Sequence, residues 1–193
     1  FNGSSWSEQN DMAQTRDSIA GCGTQTAALG AAGFVSGPYA SGSTQVVEEY
    51  DGTNWTSATS VPGSSGKAGL TAAGTQTAAI ATGGGPSNTN VSNEYDGTNW
   101  TSAPNYPTPA AAMACGGTQN DAIFNGNGGT GTTTASYNGT TWTAQNSNAQ
   151  GRHATAYMGQ GAAEVTMSGG TPGSISATEE FTIPVGTVNI TTS

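Results

Sequence analysis

Four copies of one short phrase constrain this chain more than any other feature. Phe1-Asn2-Gly3-Ser4-Ser5-Trp6-Ser7, Tyr50-Asp51-Gly52-Thr53-Asn54-Trp55-Thr56, Tyr95-Asp96-Gly97-Thr98-Asn99-Trp100-Thr101 and Tyr137-Asn138-Gly139-Thr140-Thr141-Trp142-Thr143 together hold all four tryptophans. A second phrase keeps the same beat: Gly23-Thr24-Gln25-Thr26-Ala27-Ala28, Gly74-Thr75-Gln76-Thr77-Ala78-Ala79, Gly117-Thr118-Gln119 and a degenerate Gly159-Gln160-Gly161-Ala162. Glycine clusters follow it at Gly83-Gly84-Gly85, Gly128-Gly129 and Gly169-Gly170, with Gly33 as a weaker first copy. The unit is about 45 residues, a period that marks a repeat architecture.

Punctuation within the second unit predicts four short strands: 68–73, a turn at Gly74-Thr75-Gln76, 77–82, a glycine-rich loop, 91–95, a tight turn at Asp96-Gly97, and 99–102. Asp-Gly and Asn-Gly supply the positive φ angles that tight hairpins require. No stretch sustains a helical period. Four antiparallel strands per unit, repeated about four times, predict radially arranged sheets, an all-β propeller. Residue size agrees, since the first two strands of each unit are Ala/Gly/Thr-rich while Tyr and Trp fall in the third and fourth. The expected units are 8–55, 56–100, 101–142 and 143–193 of one domain, with residues 1–7 a lone outer strand. That strand either completes the last sheet or belongs to a further one, because the chain opens at Phe1 inside a phrase. Such an opening is expected of a processed product or a segment of a longer polypeptide.

Composition removes several function classes. The chain has 193 residues, 12 acidic against 3 basic and a formal charge of −9, so it lacks the basic footprint that binds a phosphate backbone or an anionic membrane. Charged residues make only 8% of the whole, unlike a typical disordered chain. One histidine, His153, is too few for a copper or zinc site, and no nucleophile motif accompanies it. Cys22 and Cys115 fall in equivalent strands of separate units and read as free, buried thiols. No catalytic residue, metal or cofactor is expected.

The charges are nonetheless patterned. Arg16, Lys67 and Arg152 each lie seven residues before Gly23, Gly74 and Gly159, and the same offset from Gly117 gives Ala110. One reading is a small-anion site at one mouth of the axis, for a sialic or uronic acid; the other is pairing with acidic neighbours such as Asp17. Glu48, Glu49, Asp51, Glu94, Asp96, Glu179 and Glu180 gather at the ends of third strands, as calcium ligands or as charges that discourage edge pairing.

A basic residue, a small inner strand, a glycine pair, Glu-Glu-Tyr-Asp-Gly and then Trp, in that order, resemble the kelch repeat over the chain to about Phe181. The coupling of Gly-Thr-Gln-Thr-Ala-Ala to Glu-Tyr-Asp-Gly-Thr-Asn-Trp-Thr is similar to low-charge kelch-like repeats of predicted structural and tail-associated bacteriophage proteins from aquatic bacteria. The resemblance implies a kelch-like β-propeller of about four blades of four antiparallel strands. It further implies a non-enzymatic tail-fibre or capsid-surface protein, at the virion surface or extracellular, with other virion proteins and host-surface glycans as partners. The alternative is a structural repeat subunit of an extracellular filament or appendage. The variable loops would be residues 33–43, 83–90, 125–134 and 169–176, where Tyr39 and Phe124 are the aromatics nearest for sugar stacking.

Overall fold

The computed structural model describes residues 3–127, 131–151, 153–158, 165–170 and 178–181. They form four antiparallel sheets whose strands follow in chain order. The first holds β1 (Ala20–Thr24), β2 (Ala27–Phe34), β3 (Ser43–Tyr50) and β4 (Trp55–Ala58), with a single helical turn α1 (Tyr39–Gly42) before β3. The second holds β5 (Leu70–Thr75), β6 (Ala78–Gly83), β7 (Ser92–Tyr95) and β8 (Trp100–Ala103). The third holds β9 (Ala114–Thr118), β10 (Asp121–Asn127), β11 (Gly131–Tyr137) and β12 (Trp142–Gln145). The fourth has three strands among the described residues, β13 (His153–Met158), β14 (Val165–Gly170) and β15 (Glu179–Phe181). Residues 3–7, the expected lone outer strand, carry no strand, and Trp6 is 84% exposed.

The first strands of successive sheets lie side by side: β1 against β5, β5 against β9, and β9 against β13. Backbones that approach so closely leave room for small side chains only, which accounts for the Ala/Gly content of these strands. Leu29, Ala31, Val47, Leu70, Ala79 and Tyr95 belong to one buried cluster, while Ile80, Tyr106, Phe124, Ala135 and Tyr137 belong to a second.

A recurring backbone device joins the entrances of the first strands. Ser18, Gly69 and Ala112 each stand five residues before the glycine of the second phrase, and all three are left-handed, at φ 53°, 71° and 50°. The Gly69 amide donates to the Ser18 carbonyl at 3.0 Å, and the Ala112 amide donates to the Gly69 carbonyl at 2.8 Å. A left-handed conformation costs a residue with a Cβ roughly 1–2 kcal/mol. Ala112→Gly should therefore be neutral or stabilise by up to about 1 kcal/mol, since glycine's larger unfolded entropy offsets part of the relief. Urea unfolding checks this.

The first hairpin turns lie two residues later than the sequence predicts. They are Gln25-Thr26, Gln76-Thr77 and Gln119-Asn120, because Thr24 pairs Ala27, Thr75 pairs Ala78 and Thr118 pairs Asp121. Gly74 sits within β5 at φ 116°, where an added Cβ would come within 2.2 Å of the Ala78 carbonyl oxygen. Its glycine answers a close backbone approach beside the turn, not the turn itself. The second hairpins match expectation. Asp51, Asp96 and Asn138 each turn the side-chain oxygen back to accept from the amides two and three residues on, at 2.6–3.0 Å.

Candidate functional site

The cation position is a structural slot in the first sheet. The Arg16 guanidinium is fully buried and paired with Glu48 at 2.7 Å. Its Nη1 donates to the Ala32 and Val46 carbonyls, each at 2.7 Å, and the second Glu48 oxygen accepts the Ala13 amide at 2.8 Å. A charge spent on this many internal acceptors presents nothing to a solvent anion. The partner is not Asp17, whose backbone instead bridges Phe34.

The register of the third strands shows how the other units fill the slot. The residue two before the phrase aromatic is Glu48, Asn93, Ala135 and Glu179 in turn, and the matching cation position is Arg16, Lys67, Ala110 and Arg152. Charge is therefore removed from both partners together in the third unit. In the fourth, Glu179 accepts the Ala149 amide at 2.8 Å, as Glu48 accepts that of Ala13. Arg152 itself lies outside the described residues. Lys67 is only 6% exposed, the residue at the acid position of its unit is the neutral Asn93, and burial lowers the Lys67 pKa.

Neither aromatic loop candidate presents a described ring face. Phe124 is fully buried, with ring centroids 5.3 Å from Trp142, edge to face, and 6.4 Å from Tyr106. It is a core residue because β10 continues through it in register with Cys115 and Ala135. Tyr39 begins α1, and its side chain lies outside what the structure describes. Tyr106, in the β8–β9 connection, is 1% exposed and donates to the Phe124 carbonyl at 3.3 Å. It belongs to no repeated phrase, so periodicity does not single it out.

The repeated phrases converge at the junctions between sheets. The Tyr95 hydroxyl donates to Glu49 across the first junction at 2.8 Å, and Tyr137 donates to Glu94 across the second at 2.8 Å. Gln76 Nε2 donates to the Ala28 and Tyr50 carbonyls, and Gln119 Nε2 to those of Ala79 and Tyr95. Trp100 Nε1 donates to the Thr59 carbonyl and Trp142 Nε1 to that of Pro104, at 2.9 and 2.8 Å. Within each of the first three sheets Trp packs tilted on Tyr with centroids 5.1, 4.7 and 4.8 Å apart. Glu49 and Glu94 thus serve as acceptors between sheets. No cluster of three metal-ligating side chains occurs among the described residues.

A cavity of about 380 Å³ opens between the first strands, lined in part by Ser18, Gly21, Gly69, Thr71, Ala112 and Cys115. Among the described residues its lining carries no charged side chain. Both cysteines are free thiols, and burial pushes Cys22 up to about 12 and Cys115 higher still. Burial, then the hydrogen bond to Glu49 or Glu94, raises the Tyr95 and Tyr137 phenols, and burial raises Tyr106. Raised acid pKa values mean stability that is complete below the unfolded values, about 9 for Cys and about 10 for Tyr, and is lost as pH rises toward the folded ones. Melting temperature should be flat toward neutral pH and fall steadily above about pH 9. Both thiols should resist alkylation at pH 8 until the chain is unfolded, checked by intact mass.

No protein-family model and no curated protein matches the chain.

Proposed function

We propose that this chain is a kelch-like β-propeller of a bacteriophage virion, a non-enzymatic module of a tail fibre or capsid surface that displays loops to host-surface glycans. The observation that carries this reading is a division of labour among polar groups. Arg16 and Glu48 are consumed within the first sheet, and Glu49, Glu94, Gln76 and Gln119 in holding successive sheets together. The first two connections from second to third strand hold solvent-exposed stretches and carry Val35 and Val91, each 40% exposed, among short polar residues. A rigid frame with exposed, mixed-polarity loops suits recognition, whereas the chemistry of turnover would need ionisable groups left free. Arg16 is paired and Lys67 is buried, so the exposed loops rather than the cation positions would select the sugar.

The test is a glycan array and host-cell binding assay with the purified protein. Saturable binding is expected, and it should be abolished when residues 35–38 and 86–91 are replaced by Gly/Ser. Absence of binding to any glycan or host surface would overturn the reading. An extracellular filament subunit is the second reading, favoured by a groove on the first sheet lined in part by Gln9, Tyr50 and Trp55; helical polymers in electron micrographs would support it.

A further inference from the structure

The acid and the phenol that join successive sheets come and go together along the chain. Glu49 meets Tyr95 and Glu94 meets Tyr137. At the third junction both are absent, because the acid position of the third sheet is Ser136 and the phenol position of the fourth is Phe181. Ser136 instead accepts from Gln145 of its own sheet. The fourth sheet then carries an acid again at this position, Glu180, and leaves it exposed on β15. The remaining phenol of the series is Tyr50, on the opposite flank of the row of sheets.

That flank repeats the side chains of a junction, with no preceding sheet among the described residues. A groove of about 410 Å³ runs along it, lined by Gln9, Gln25, Thr26, Tyr50, Gly52 and Trp55. Gln25, Tyr50 and Trp55 are the counterparts of Gln76, Tyr95 and Trp100, which bind the preceding sheet. Tyr50 donates at 3.2 Å to the neutral amide of Gln9, in place of the 2.8 Å carboxylate contact made by Tyr95 and Tyr137. Glu180 is exposed while Tyr50 is engaged by Gln9, so the two groups do not meet within this chain.

We propose that the groove on the first sheet is a docking surface for the fourth sheet of a second copy of this chain, with Glu180 of that copy accepting from Tyr50. The contact is heterologous, head to tail, and builds a ring or a string of copies rather than an isologous dimer. It rests on the junctions seen between the sheets and is independent of the glycan reading.

Mixing two single-site variants tests it. Tyr50→Cys protein is combined with Glu180→Cys protein and treated with a short bismaleimide, since the two positions are too far apart across a phenol and a carboxylate for a direct disulfide. A crosslinked species of twice the chain mass is expected from the mixture and not from either variant alone. The wild-type mass in solution should climb above 19.0 kDa with concentration. Tyr50→Phe and Glu180→Gln, which keep the side-chain shape, should each weaken that association several-fold, and together no more than either alone. A Glu49→Cys/Tyr95→Cys chain provides the reference for a formed junction. If the reference crosslinks while the mixture does not, or the mass stays at that of one chain throughout, the proposal is overturned. Crosslinking confined to the inside of a Tyr50→Cys/Glu180→Cys chain would overturn it too, by giving the groove to that chain's own fourth sheet. Failure of the reference removes the shared junction on which the proposal stands.

Discussion

Arg16→Ala is expected to cost about 3–5 kcal/mol of stability, because it strands a buried carboxylate. Both side chains of the Arg16–Glu48 pair are fully removed from solvent, so Glu48 keeps its desolvation cost while losing its counter-charge. The Ala32 and Val46 carbonyls lose their donor in the same step. Replacing both members, as Arg16→Met with Glu48→Leu, should recover much of the loss and leave about 1–3 kcal/mol, the cost of backbone groups now without partners. The third unit already makes this exchange, with Ala110 and Ala135 at the two positions. Urea unfolding of the two variants measures the difference. Equal, small losses in both would mean that the pair behaves as a solvated surface bridge.

Phe124→Ala should cost about 3–5 kcal/mol, the range for emptying a buried aromatic site. The ring lies at the centre of the second core cluster, between Tyr106 and Trp142, with no surface exposed. Its removal leaves a cavity between a β10 backbone fixed on both sides and two aromatic rings that have hydrogen bonds of their own to keep, Tyr106 to the Phe124 carbonyl and Trp142 to that of Pro104. Such a site collapses poorly, so the upper part of the range applies. Phe124→Leu keeps most of the volume and should lose clearly less. A sugar-stacking residue would behave in the opposite way, with binding lost and melting temperature unchanged.

Much of this architecture is legible in the sequence, since the period, the Asp-Gly turns and the small first strands are local properties. Four antiparallel sheets follow from them. The partner of Arg16 is not local: Glu48 is 32 residues away, and only the register of β2 on β3 brings it beneath the guanidinium. A signal for it does exist in the sequence, because aligning the units sets Arg16, Lys67, Ala110 and Arg152 against Glu48, Asn93, Ala135 and Glu179. The Gly-Thr-Gln phrase shows the same limit. Glycine there suggests a turn, but the turn falls at Gln76-Thr77, and the phrase is kept for two long-range reasons: the Ala78 carbonyl crowding Gly74 and the previous sheet bound by Gln76. The glycine and asparagine that follow Phe124 suggest a surface loop. The burial of Phe124 follows from β10 running on to Asn127, past the expected start of the loop.

One set of side chains makes the same junction twice, between the first and second sheets and between the second and third. Two double-mutant cycles measured side by side test it most directly: Tyr95→Phe with Glu49→Gln, and Tyr137→Phe with Glu94→Gln. Equivalent junctions should give coupling energies of the same sign, each at least about 0.5 kcal/mol and matching within about 0.5 kcal/mol. Coupling at one junction and none at the other would contradict the claim, whatever the likeness of the phrases.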